Sequence, residues 1–230
     1  MTWNPVTGCS KISPGCDHCY AERMANRLQA MGVERYRRAF EVTLHPDLLD
    51  LPRSWRNPRL VFVNSMSDLF HEQVPKAFIQ KVFSTMAACP QHTFQILTKR
   101  SGRLLAIADD LKWTPNIWMG VTVEGPKYFS RISHLTRVPA HVRFLSIEPL
   151  LAPMTKIPLK GIDWVIVGGE SGPGARSMEK GWVESILREC RRGNVAFFFK
   201  QWGGVRKSQT GRLLNGRAYS EMPVSYPVAP

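Results

Sequence analysis

Cys9, Cys16 and Cys19 fall within eleven residues, in TGCSKISPGCDHCY. Three thiolates leave a tetrahedral metal one ligand short, whereas a structural zinc site closes with four protein ligands. An iron–sulfur cluster held by three cysteines keeps one iron free for a cofactor or substrate. The C-x6-C-x2-C spacing therefore reads first as a reactive cluster. Zinc is the competing reading, with His18 completing a Cys3His set, although its place inside the C-x-x-C turn makes joint coordination awkward. A disulfide framework fits less well. Five cysteines is an odd number, and MTWNPVTG has neither a basic n-region nor an apolar leader, so a reducing cytosol is expected. Cys89 and Cys190 read as buried small hydrophobes, Cys190 on a helix face with Trp182, Val183, Ile186 and Leu187.

Strands and helices alternate along the chain that must hold this loop. Tyr20, Met24, Leu28 and Met31 recur at helical spacing directly after Cys19. Apolar runs then appear at 60–63, 94–97, 117–121, 142–147, 164–167 and 195–199. Between them lie helical patterns opened by Pro75 (Phe78, Ile79, Val82, Phe83 and Met86 on one face), near 102–109, near 126–135 and over 180–192. Continuous hydrophobic strands alternating with amphipathic helices predict an α/β fold with a parallel sheet and right-handed crossovers. No linker or repeat divides 230 residues, so one domain is expected over 1–204, with 205–230 as an extension or cap.

Polar residues gather after the strands' carboxyl ends, the edge where α/β folds build ligand sites. They are Asn64, Ser65, Ser67 and Asp68; Thr98, Lys99 and Arg100; Thr122 and Glu124; Glu148; Glu170 and Ser171; and Lys200 and Gln201. Singly, some would serve as helix caps, Asp68 and Ser101 among them. The glycine run at 168–174 permits close backbone approach, yet it follows a late strand and is no dinucleotide fingerprint.

The chain carries 31 Lys plus Arg against 18 Asp plus Glu, a formal charge of +13. That excess predicts a polyanionic partner, nucleic acid or nucleotide first. Basic residues concentrate in Arg23, Arg27, Arg35, Arg37 and Arg38, and again from Arg188 to Arg217. Trp113 and Trp202 are candidates for stacking on bases, though burial is the commoner fate of tryptophan. No apolar run approaches the roughly 20 residues of a membrane span.

Read together, the cysteine loop and the strings FVNSMSDLFHE, TKR, SIEPLL, VGGESGPGAR and FFFKQWGG resemble the radical S-adenosylmethionine superfamily. More narrowly they are similar to a phage-associated three-cysteine branch of unassigned substrate. The spacing departs from the commonest C-x3-C-x2-C pattern. The resemblance covers the chain to about Gly204 and implies a partial TIM-type (β/α)6-like barrel. It implies a [4Fe–4S] cluster on Cys9, Cys16 and Cys19, with S-adenosylmethionine at the open iron, cleaved to a 5′-deoxyadenosyl radical that takes hydrogen from a substrate. His18 matches a position that packs near adenine, and Asn64, Ser65, Ser67 and Asp68 one that binds the methionine amino end. Lys99 or Arg100 would take the methionine carboxylate. Thr122, Glu124 or Glu148 would take the ribose, and Gly169 and Glu170 lie in the glycine turn near adenine or substrate. An electron donor such as a flavodoxin or ferredoxin is the implied partner. The alternative from another class is a zinc-stabilised nucleic-acid-binding module without catalysis.

Overall fold

The computed structural model describes residues 1–223, so the final seven residues of the expected C-terminal extension, 224–230, lie outside the described residues. The chain resolves into two compact units that interleave in sequence, and each is described by itself.

The first unit comprises Met1–Ile12, Cys19–Gly120 and Arg137–His141. Its strands are β1 (Thr2–Trp3), β2 (Val6–Thr7), β3 (Thr43–Leu44), β4 (Leu60–Val63), β5 (Thr93–Thr98) and the first four residues of β6 (Ile117–Thr122). β1 pairs in parallel with β4, Trp3 opposite Val63, and β4 pairs in parallel with β5, Val63 opposite Ile96. β2 and β3 form a separate antiparallel pair. The sheet order in this unit is β1-β4-β5-β6. The helices are α1 (Tyr20–Ala30), α2 (Lys76–Ala87) and α3 (Ser101–Ile107). All five apolar residues expected on the α2 face are buried. The α1 face differs in part from its expected one: Met24 packs against the buried cluster and Leu28 is half-buried, but the most buried positions belong to alanines. Ala21 and Ala25 are buried against Met66, while Tyr20 and Met31 are 61% and 64% exposed. Residues four apart share one helix face, and here that face carries the two alanines.

The second unit comprises Ser13–His18, Val121–Thr136 and the described residues from Val142 onward. β6 enters it at Val121, and β7 (Val142–Ile147), β8 (Trp164–Gly168) and β9 (Ala196–Gln201) follow in sheet order. β7–β8 and β8–β9 are parallel pairs. The helix expected near 126–135 is a 3-10 turn, Pro126–Tyr128, followed by α4 (Ser130–Leu135). α5 (Lys180–Gly193) buries Val183, Ile186 and Cys190 and ends on Asn194 in the left-handed region. After α6 (Lys207–Thr210) the chain returns along β9, where Phe199 N–H donates to the Tyr219 carbonyl and Phe197 N–H to the Glu221 carboxylate. This satisfies backbone groups that an edge strand would leave open.

Among the described residues no helix is long and apolar enough to cross a membrane. Trp113 and Trp202 are half-buried. The first meets Phe83 edge-on at 4.9 Å and the second meets Phe199 at 4.8 Å. Their indole N–H groups donate to the carbonyls of Ala108 and Leu213.

Candidate functional site

In the first unit, the polar residues after β4 grip the segment that leads to Cys9. Asn64, in the left-handed region at φ 59°, accepts from Val6 N–H. Ser67 donates to the Val6 carbonyl and Ser65 to Asn4 Oδ1. Gly8 has φ +82°, and a Cβ there would stand 2.1 Å from the Glu41 carbonyl oxygen. Only glycine fits that approach. Cys9 N–H then donates to the Phe40 carbonyl.

Asp68 is 6% exposed, and its carboxylate is consumed internally. Oδ1 accepts from Thr98 Oγ1 at 2.7 Å and Phe70 N–H at 3.0 Å, while Oδ2 accepts from Lys99 N–H at 3.1 Å. The Arg100 guanidinium lies 3.6 Å from Oδ2. Arg100, 6% exposed, also donates from Nε to both Glu72 oxygens, from Nη2 to the carbonyl and hydroxyl of Ser10, and from Nη1 to Cys9 Sγ at 3.6 Å. Burial works against charge on Arg100. Asp68, Glu72 and the Cys9 sulfur outweigh it and hold the guanidinium protonated.

Beside this cation, His71 Nδ1 accepts from Gln73 N–H, which leaves the hydrogen of the neutral ring on Nε2, donated to Ser10 Oγ at 2.8 Å. Arg103 holds the same turn by donating to the carbonyls of Phe70, His71 and Val74. Burial first, then Arg100, pushes the His71 pKa below its ordinary 6.5. The folded state thus binds fewer protons than the unfolded chain, and stability falls as pH drops below about 6.5 toward the lower folded value. Buried His45, bonded to Thr7, adds the same sign. Melting temperature should fall between pH 7.5 and 5 more steeply in the wild type than in His71→Gln. Parallel declines would contradict this assignment.

A cavity of about 780 Å³ opens in the first unit, walled by Cys9, Ser10, Arg37, Arg38 and His71 among others. A second, of about 430 Å³, shares Arg37 and Arg38 with it.

In the second unit, Ser13 starts the 3-10 turn Pro14–Cys16 and donates to Glu124 Oε1 at 2.5 Å. Glu124, 1% exposed, accepts on Oε2 from Arg131, which is 7% exposed. Arg131 also donates to the Thr122 carbonyl. Gly15 is seated so close that a Cβ would meet Glu124 Oε1 at 2.5 Å. From the glycine loop, Arg176 donates to both oxygens of Glu170, to the Pro14 carbonyl at 2.7 Å and to Asp17 at 3.4 Å. Burial raises the Glu170 pKa, but the Arg176 hydrogen bonds prevail and hold it below the ordinary carboxylate value. The His18 ring rests against Gly174. Gly169 is pressed to the Trp202 carbonyl, where a Cβ would come within 1.9 Å. At the ends of β7 and β9, Glu148 accepts from Ser146 and pairs with Lys200 at 3.0 Å.

Thus Asn64, Ser65, Ser67 and Asp68 position the Cys9 segment, and Glu124 and Glu170 position the loop of Cys16 and His18. Sequence reasoning did not single out Ser10, His71, Glu72, Arg131 or Arg176. Arg176 and His71 lie inside the quoted strings VGGESGPGAR and FVNSMSDLFHE, which offered the one available signal.

None of the five cysteines is in a disulfide. Cys9, Cys16 and Cys19 are partly exposed, while Cys89 and Cys190 are buried, and burial raises both thiols, Cys190 to about 12. Three partly exposed thiols outside any disulfide have the donor chemistry of an iron–sulfur ligand set. Among the described residues, no three His, Cys, Asp or Glu side chains are gathered to hold a metal ion. A thiol reagent should titrate three cysteines in the native metal-free protein and five after denaturation. Rapid native labelling of all five would contradict the burial of Cys89 and Cys190.

Fold and site define an α/β protein with parallel strands whose polar strand ends fasten an N-terminal cysteine loop. Over residues 1–223 the chain matches the family described as protein of unknown function (DUF5131), and it belongs to that family. No curated protein and no solved structure matches it.

Proposed function

We propose that this chain is a radical S-adenosylmethionine enzyme with a partial (β/α)6-like barrel, working in a reducing cytosol with a flavodoxin- or ferredoxin-like electron donor. The observation that carries the reading is the contrast among the cysteines: of the five, the three spaced C-x6-C-x2-C are the partly exposed ones, while Cys89 and Cys190 are buried. Cys9, Cys16 and Cys19 would hold the [4Fe–4S] cluster. Bound there, it would supply the electron for reductive cleavage of S-adenosylmethionine and so for hydrogen abstraction from a substrate. The chain's own contribution is to hold the ligand loop. Arg100 faces the Cys9 sulfur with a buried positive charge, and Glu124 and Arg176 fix the Ser13–Asp17 backbone. The net charge of +13 favours a nucleotide or nucleic-acid substrate.

Anaerobic reconstitution with iron and sulfide, followed by absorption and electron paramagnetic resonance, tests the cluster. Reduction with S-adenosylmethionine should then release 5′-deoxyadenosine. Cys9→Ala, Cys16→Ala and Cys19→Ala should each abolish release. Tight stoichiometric zinc without iron uptake, or undiminished release in the three variants, would sink the proposal.

A further inference from the structure

The segment from Glu34 to His45 joins the two cavities of the first unit. Arg37 and Arg38 line both, so one pair of guanidinium groups serves a larger chamber beside Cys9 and a smaller one reaching Arg35, Thr43 and His45. The turn that presents them is strained: Ala39 sits at φ +50°, the left-handed region that disfavours a non-glycine residue. Its place is fixed by the Cys9 N–H bond to the Phe40 carbonyl.

The charges on this wall are only loosely committed. Arg37 pairs with Glu34 and Arg38 with Glu41, with all four side chains more than half exposed. The remaining lining acid, Glu22, pairs with Lys11. Exposed pairs of this kind contribute little and yield readily to a phosphate.

Across the larger chamber, Ser10 Oγ accepts from both His71 Nε2 and Arg100 Nη2 at 2.8 Å. Both acceptor positions of that hydroxyl are filled, so its own hydrogen is left for an acceptor in the cavity that Ser10 lines. A donor on one wall and two arginines on another suit a phosphorylated, hydrogen-bonding ligand. About 780 Å³ is ample for a nucleotide.

We propose that the two cavities form a groove for one strand of nucleic acid. Its phosphates cross Arg37 and Arg38, one nucleotide sits in the larger chamber with an acceptor on the Ser10 hydroxyl, and the strand continues into the smaller chamber. The shared arginines favour a polymer over a free nucleotide, because a single nucleotide would have no use for the second chamber. The inference deepens the proposed function by naming its substrate class, and its test needs neither iron nor cofactor.

Fluorescence anisotropy of a labelled single strand of about 12 nucleotides, followed over a salt series with the full chain, provides that test. Arg37→Ala/Arg38→Ala should weaken binding about tenfold and flatten the salt slope by about two. Glu41→Gln, which removes the competing carboxylate from Arg38, should tighten binding. Ser10→Ala should weaken it without changing the slope. Both arginines are exposed, and melting curves will show that the variants fold. Arg188→Ala/Arg192→Ala, on α5 of the second unit, is the control and should leave affinity unchanged.

Unchanged affinity in the Arg37/Arg38 variant, or an equal loss in the control, overturns the groove. Displacement of the strand by a mononucleotide at comparable concentration overturns the polymer assignment. Failure of either kind is separable from failure of the enzyme reading, which 5′-deoxyadenosine release judges on its own.

Discussion

Glu124→Ala should destabilise the second unit by about 3–5 kcal/mol, because it leaves the Arg131 guanidinium buried without its carboxylate. Glu124 and Arg131 are 1% and 7% exposed, so water cannot take over the lost interaction without opening the fold. The same change removes the acceptor of Ser13 Oγ, which starts the turn carrying Cys16. Melting should drop by on the order of 10 °C. Cys16 should react faster with thiol reagents, since its backbone N–H bonds to the Ser13 carbonyl and follows Ser13 when that residue loosens. Glu124→Gln keeps the volume and one acceptor and should cost less, about 1–3 kcal/mol. A Glu124→Ala protein that melts with the wild type would show that Arg131 finds another partner and that the loop is held elsewhere.

The strands were legible in the sequence because they read as unbroken apolar runs, and the central ones, β6, β7 and β8, are buried on nearly every residue. Leu60–Val63 and Val142–Ile147 appear with their expected ends, and the others differ by one or two residues. β1, β2 and β3 were not legible as elements. Two residues carry no periodicity, and each strand exists by virtue of a partner dozens of positions away, as Trp3 does opposite Val63. Helix α1 was legible as a helix but not in its orientation. Ala21 and Ala25 take its most buried positions, with Met24 packed beside them, while Tyr20 and Met31 lie exposed.

The site shows the same division. Alternation of strand and helix locates Asp68, Glu124, Glu148 and Glu170 at strand ends, since that depends on local order. It does not reveal what their oxygens face. Glu124 meets Ser13 from 111 positions away, and Arg176 reaches the Pro14 carbonyl from 162. A carboxylate expected to receive a ribose or an amino group is instead satisfied by the chain's own donors. The strand-end residues accordingly fasten the cysteine loop, and in the proposed groove the ligand would meet groups with capacity left over, such as the Ser10 hydroxyl.

Asp68→Ala is the sharpest test of that view in the first unit. The substitution strands Thr98 Oγ1 and the N–H groups of Phe70 and Lys99, and it removes the buried carboxylate nearest Arg100. Glu72 still pairs with the guanidinium, but its side chain is 65% exposed and holds the cation in a more polar setting. The expected cost is about 3–5 kcal/mol, read as a lower denaturation midpoint. Asp68→Asn keeps an acceptor for Thr98 but turns an amide toward Lys99 N–H or Arg100, and should fall between Asp68→Ala and wild type. If Asp68 acts by holding Arg100, both variants should also change the rate and pH profile of Cys9 labelling, because Arg100 spans Asp68, Ser10 and the Cys9 sulfur. If Arg100 is held by Glu72 and Ser10 without Asp68, both variants should leave Cys9 labelling as it was. A stable Asp68→Ala protein with unaltered Cys9 reactivity would undo the positioning role.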